Sequence, residues 1–213
     1  MDDITLNLIV IAVFALAGGG IFLIVRRKQA EGEQKIIQMA LERGWKYESL
    51  REPLAWGLRL ASPRWTLEAL SRSSGRETGP GSSDISMSTI WRANTPGSTL
   101  LIGERSSQAN LGSFGAMLQQ QALQLALGAD ADGLQEIQAG SEAFRKVYML
   151  WAQNPSEILL PASLESALLN WKGVKPLIKR TSEGLTIELR GVRLQKMDEI
   201  NVLIQLGEAL LAA

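Results

Sequence analysis

The sequence predicts an α+β protein: an N-terminal transmembrane helix followed by a mainly antiparallel-sheet domain with packed helices. Three observations lead there. Ile4 to Val25 is 22 residues long and carries no formal charge. The middle of the chain alternates apolar and polar residues in pairs of short runs, the pattern of hairpins with one buried face. Helical periodicity returns in separate blocks and not one-for-one with the strands, which favours α+β over a parallel α/β sheet.

The apolar run comes first. At 1.5 Å per residue it reaches about 33 Å, against a bilayer core of about 30 Å. An export signal would place basic residues before the run. Here Asp2 and Asp3 precede it, and Arg26, Arg27 and Lys28 follow. That order predicts a spanning helix over 4–25, a short extracytoplasmic tail at 1–3, and a cytoplasmic domain over 44–213. The protein is thus expected in the cell (inner) membrane, single-pass, with the bilayer itself as one partner. Ala15 and Gly19 stand four apart and could form a helix–helix contact.

A juxtamembrane helix over 26–43 comes next. Ile36, Ile37, Ala40 and Leu41 make its apolar stripe, Glu31, Glu33, Lys35, Glu42 and Arg43 its polar side, and Gly44 its stop. Strands are expected at 45–50, 54–61 and 65–69, the last two joined through Ser62-Pro63-Arg64. The stretch 71–86 reads as a long loop. Runs 89–94 and 99–104 read as a second hairpin around Thr95-Pro96-Gly97-Ser98. A helix is expected over 111–128, a loop or short helix over 129–140, and a strand over 146–152. A helix over 162–171, a hairpin around Ser182-Glu183-Gly184 and a helix over 196–213 complete the chain. A subdivision near 105–145 is compatible with this order.

Composition narrows the chemistry. The 213 residues include no cysteine and no histidine. Disulfides, Cys/His zinc sites, cysteine nucleophiles and Ser-His-Asp triads are therefore excluded. Asp2 and Asp3 are the only charges before Arg26, so the remainder carries 22 basic against 20 acidic residues. That balance gives no basic footprint for nucleic acid. The glycines at 75, 79 and 81 lack the Lys-Ser/Thr of a P-loop. Asp130 and Asp132 lack the spacing of a calcium loop. No motif places Ser82, Ser83 or Ser86 beside a lysine. No catalytic, cofactor or metal residues are assigned.

Tryptophan is the remaining signal. Trp45, Trp56, Trp65 and Trp91 all fall in the first group of strands, where core packing is the ordinary reading and a pocket or surface the functional one. At Glu42-Arg43-Gly44-Trp45-Lys46-Tyr47, with Arg64-Trp65-Thr66-Leu67-Glu68, the chain resembles uncharacterised bacterial single-pass membrane proteins that carry a helix, a Gly-Trp step and an antiparallel sheet. The resemblance implies a bacterial inner membrane location. That family has no assigned activity, so no functional residue carries over.

The expected function is a membrane-anchored cytoplasmic interaction domain, a scaffold or accessory subunit, binding another protein or itself. The alternatives are a tethered ligand- or lipid-binding domain with a Trp-rich sheet, and an enzyme using carboxylates or a Ser-Lys pair on a membrane-linked substrate.

Overall fold

The computed structural model describes residues 27, 30–75, 85–105, 128–154, 156 and 160–212. The expected span at 4–25, with Ala15 and Gly19, lies outside them. So do Arg26, Lys28, most of the 71–86 loop and the helix expected from 111. Among the described residues no helix is long and apolar enough to cross a membrane.

Nine strands form one sheet: β1 Lys46–Glu52, β2 Ala55–Ala61, β3 Trp65–Ser73, β4 Ile85–Ala93, β5 Leu100–Glu104, β6 Gln135–Ile137, β7 Tyr148–Ala152, β8 Leu177–Thr181 and β9 Gly184–Arg190. Their order across the sheet is β1-β2-β3-β4-β9-β8-β5-β7-β6, and every neighbouring pair is antiparallel. Among the described residues four α-helices accompany it: α1 over 30–42, α2 Glu142–Val147, α3 Ala162–Leu169 and α4 Met197–Ala212. The fold class is α+β, as the hairpin pattern implied.

Alternation decides which face is buried. On β3, Trp65, Leu67, Ala69 and Ser71 are buried, while Thr66 and Arg72 are exposed. Register carries that face across the sheet: Leu60 opposes Leu67, Leu67 opposes Trp91, Trp91 opposes Ile187, and Ile187 opposes Ile178. Ile36 and Ala40 of α1, Phe144 of α2, Leu164 and Leu168 of α3, and Ile200, Leu203 and Leu210 of α4 join these residues in one apolar cluster. The result is two layers, helices on one face of the sheet.

Three tryptophans form a column in that cluster. Trp45 meets Trp65 edge-on with ring centroids 4.7 Å apart, and Trp65 lies 6.2 Å from Trp91. Trp91 is fully buried, and α4 crosses it at Gly207, where an added Cβ would run into the indole. Glycine in a helix interior costs about 1 kcal/mol relative to alanine. Here it lets the helix backbone reach the largest side chain of the core.

Gly44 ends α1 as expected. Its φ is +68°, the Gly44 N–H donates to the Leu41 carbonyl at 3.1 Å, and the Trp45 N–H donates to the Ala40 carbonyl at 2.7 Å. This pair of bonds is the Schellman arrangement, in which a left-handed residue closes the last helical turn. The buried stripe of α1 is Ile36, Met39 and Ala40, and Leu41 is 73% exposed. The stripe is therefore rotated from the expected 36, 37, 40, 41 set.

Three expectations are corrected, the first outright and the other two in part. The runs at 89–94 and 99–104 are not a hairpin: β8 and β9 lie between β4 and β5. The Pro96-Gly97 connection passes over the end of that inserted hairpin, with the Gly97 N–H donating to the Thr181 carbonyl at 3.2 Å. The run 146–152 begins as helix, because Ser141 caps α2 by accepting from the Phe144 N–H at 3.2 Å, and the chain extends only at Tyr148. The stretch 129–140 contains an edge strand, β6, after a 3-10 turn at Gly128–Ala131.

Replacing Gly207 by Ala tests the helix–sheet contact. Overpacking costs about 1–3 kcal/mol and better helix propensity returns only about 1. We expect Gly207→Ala to lower stability by about 1 kcal/mol in denaturant titrations. An unchanged midpoint would show that α4 does not bear on Trp91.

Candidate functional site

A hollow of about 880 Å³ forms an open groove on the helical face at the β1 end of the sheet. Two helices and a connector wall it. Gly32, Glu33, Lys35 and Ile36 come from the first turns of α1. Tyr47, Ser49, Arg51, Trp56 and Leu58 come from β1 and β2. Arg193 to Lys196 and the start of α4 supply the third wall.

Strand parity explains the sheet side. Arg51 opposes Trp56, Ser49 opposes Leu58 and Tyr47 opposes Leu60, so all six point to the helical face. Near the edge α1 is the only described helix over them, and the sheet is left partly open. Buried Ile36, Leu58, Ala69 and Leu194 give an apolar floor. Glu33, Lys35 and Arg51 on one side and Arg193, Lys196, Asp198 and Glu199 on the other give a rim of both signs.

One hydrogen bond fixes α1 against the sheet. The Tyr47 hydroxyl donates to Glu33 Oε1 at 2.7 Å, and Arg51 approaches the same carboxylate at 3.9 Å. Burial, and then the bond to Glu33, push the Tyr47 phenol up to about 12. On the rim, Lys196 donates to Glu199 at 2.8 Å, which raises its pKa.

The opposite wall hangs from a buried hydroxyl. Thr89 Oγ1 donates to the Val192 carbonyl at 2.9 Å and accepts from the Leu194 N–H at 2.9 Å. The Gly191 N–H of the connector between β9 and α4 donates to the Met87 carbonyl at 2.9 Å, and beyond it Thr89 satisfies two more of the connector's backbone groups. Nothing in the sequence marks this threonine as more than one position of an alternating strand.

The four tryptophans singled out in the sequence separate in space. Trp45, Trp65 and Trp91 form the core column, and Trp56 lines the groove. Of the others, Trp151 packs with Leu101 and Met149 on the far face, and the Trp171 Nε1 donates to the Val174 carbonyl at 2.9 Å. Arg27 is exposed and pairs with Glu31 at 2.9 Å. Among the described residues no three acidic side chains converge as metal ligands.

The far face of the sheet carries a ladder of alternating charge. Arg59 lies 3.2 Å from Glu48 and 2.8 Å from Glu68, and Arg92 lies 3.7 Å from Glu68. Glu188 follows on β9, with Lys179 at 3.5 Å and Arg190 at 3.1 Å. Glu68 raises the Arg59 pKa, first through their hydrogen bond. Glu68, Glu188 and Lys179 are half-buried and the arginines more exposed, and surface pairs add about 0–1 kcal/mol each, so the ladder contributes modestly to stability.

No protein-family model matches the chain, and neither the curated proteins nor the solved structures contain a match.

Thr89→Val keeps the shape and removes both bonds. It leaves the buried Leu194 N–H and the half-buried Val192 carbonyl unpaired, together about 2–4 kcal/mol. We expect a loss of about 2–4 kcal/mol, largely recovered by Thr89→Ser, in thermal unfolding. Equal stability of the valine variant would refute the anchoring role.

The chain has two tyrosines. Tyr47 is raised to about 12 and burial raises Tyr148 as well. A raised phenol pKa stabilises the fold fully below about pH 10, the unfolded value, and that stability is lost as pH rises through the folded value. Phenolate absorbance should therefore be nearly absent at about pH 10.5 in native protein and pronounced in urea. Equal titration in both would contradict the burial of the two rings.

Proposed function

We propose that this chain is a single-pass membrane protein whose cytoplasmic domain docks another protein, acting as a scaffold or accessory subunit. The groove between α1, β1–β2 and the start of α4 is the docking surface in this reading. The observation that carries it is the make-up of that groove: an apolar floor of Ile36, Leu58 and Leu194 inside an exposed rim of both charges. Apolar centres within polar rims are the ordinary anatomy of protein interfaces.

Position adds support. The groove starts at Gly32, seven residues after Val25. A continuous helix would place it about 10 Å beyond the apolar run, close to the headgroups. In that orientation Arg26, Arg27 and Lys28 lie at the inner surface and the N terminus outside.

A second reading, a tethered ligand- or lipid-binding domain, draws on Trp56, the one of the six tryptophans that lines this groove. An indole beside an apolar floor suits an acyl chain or a flat ring.

One experiment separates the two. Full-length chain is crosslinked in membranes and purified after gentle solubilisation, beside Arg193→Glu and Trp56→Ser variants. Docking of a protein predicts a stoichiometric partner that both variants lose while keeping the native fluorescence of the core tryptophans. A ligand site predicts no protein partner and a lipid extract depleted in Trp56→Ser. Recovery of the chain in the soluble fraction after lysis would overturn both.

A further inference from the structure

β1 is one edge of the nine-stranded sheet. All seven of its residues pair with β2 on one side. Among the described residues, no backbone group of 46–52 bonds on the other side. An edge of this length is a template for a further strand, and proteins usually blunt it with proline, a bulge or like charges. The sequence Lys-Tyr-Glu-Ser-Leu-Arg-Glu has no proline and no glycine, and its register with β2 is unbroken.

Its charges do not repel a copy of themselves. Laid antiparallel on a second β1 about Ser49, Lys46 faces Glu52 of the other copy, Tyr47 faces Arg51, and Ser49 faces Ser49. Directly opposed residues share a face, so Lys46 meets Glu52 on the ladder face and Tyr47 meets Arg51 on the helical face. The Lys46–Glu52 and Tyr47–Arg51 contacts each occur twice by symmetry, and the Ser49 pair lies on the axis. Lys46, Ser49, Arg51 and Glu52 are all exposed and available.

From this complementarity we infer that β1 pairs with β1 of a second copy, joining two sheets edge to edge about a two-fold axis. The axis stands perpendicular to the sheet, which keeps the helices of both copies on one face. It brings together the two grooves, because Tyr47, Ser49 and Arg51 line both the groove and the seam. The inference goes beyond the groove reading: a second copy pairs at the sheet edge beside the groove, and either can hold without the other.

The test uses the full-length chain in mild detergent. The protein has no cysteine, so Ser49→Cys introduces the sole thiol. Self-pairing predicts that Ser49→Cys is captured as a covalent dimer by mild oxidation or a short bis-maleimide. Val174→Cys, at a site 47% exposed and outside β1, should stay monomeric. Lys46→Glu and Glu52→Lys each place like charges across the seam and should weaken the dimer about 5- to 10-fold in light scattering, while Lys46→Glu/Glu52→Lys restores it. Capture no greater than at Val174, or a double variant as weak as the singles, overturns the inference. Loss of self-pairing with a groove partner retained removes this inference alone. A covalent dimer with no groove partner removes the groove reading alone.

Discussion

The contact of Trp91 with Gly207 is the constraint on which the domain turns. Trp91 stands on β4, where the N-terminal meander meets β9 and with it the rest of the sheet. Its indole touches the column of Trp65 and Trp45 below and the backbone of α4 above. A bulkier residue at 207 would lift the helix, and a smaller one at 91 would leave a void beneath it. The Trp91 Nε1 is buried without a hydrogen-bond partner, at a cost of about 1–3 kcal/mol. The ring is held for its volume and not for its polar atom.

Thr89 lies two residues earlier on the same face of β4, and its hydroxyl positions the connector that becomes the groove wall. Tyr47 does the same for α1 through Glu33. Both walls of the groove thus take a side-chain hydrogen bond from the sheet in addition to their packing, while the floor belongs to the common core. Leu58 of the floor and Ile36 of α1 belong to the same close-packed cluster as the tryptophan column, so neither moves independently of it.

Local chemistry was readable in the sequence wherever it acts alone. Gly44 stops α1 because a left-handed residue is needed there, and Ser182-Glu183 turns a hairpin because strands on both sides alternate. What could not be read was the order of strands. Alternation marks Trp91 and Ile102 as buried, but not that β9 and β8 lie between them. The Thr95–Ser98 segment has turn composition and serves as a crossover. The groove was half legible: Trp56 was singled out for its type, but its role follows from being the strand residue that α1 leaves uncovered. Thr89 and Glu33 gave no signal, because their importance lies in partners far along the chain or on another element.

The insertion of the β8–β9 hairpin between β4 and β5 also dictates the order of assembly. β1 to β4 are consecutive hairpins and can close as soon as they are synthesised. The other edge of β4 must wait for residues 185–190, about a hundred residues later. During that interval the emerging domain presents an open, tryptophan-bearing edge, the kind of surface that invites association with other chains. Completion comes with the last strand and the last helix, so a ribosome that stalls short of residue 184 would leave a sheet in two unjoined pieces. Residues 184–212 are the keystone of the described sheet, in time as well as in space.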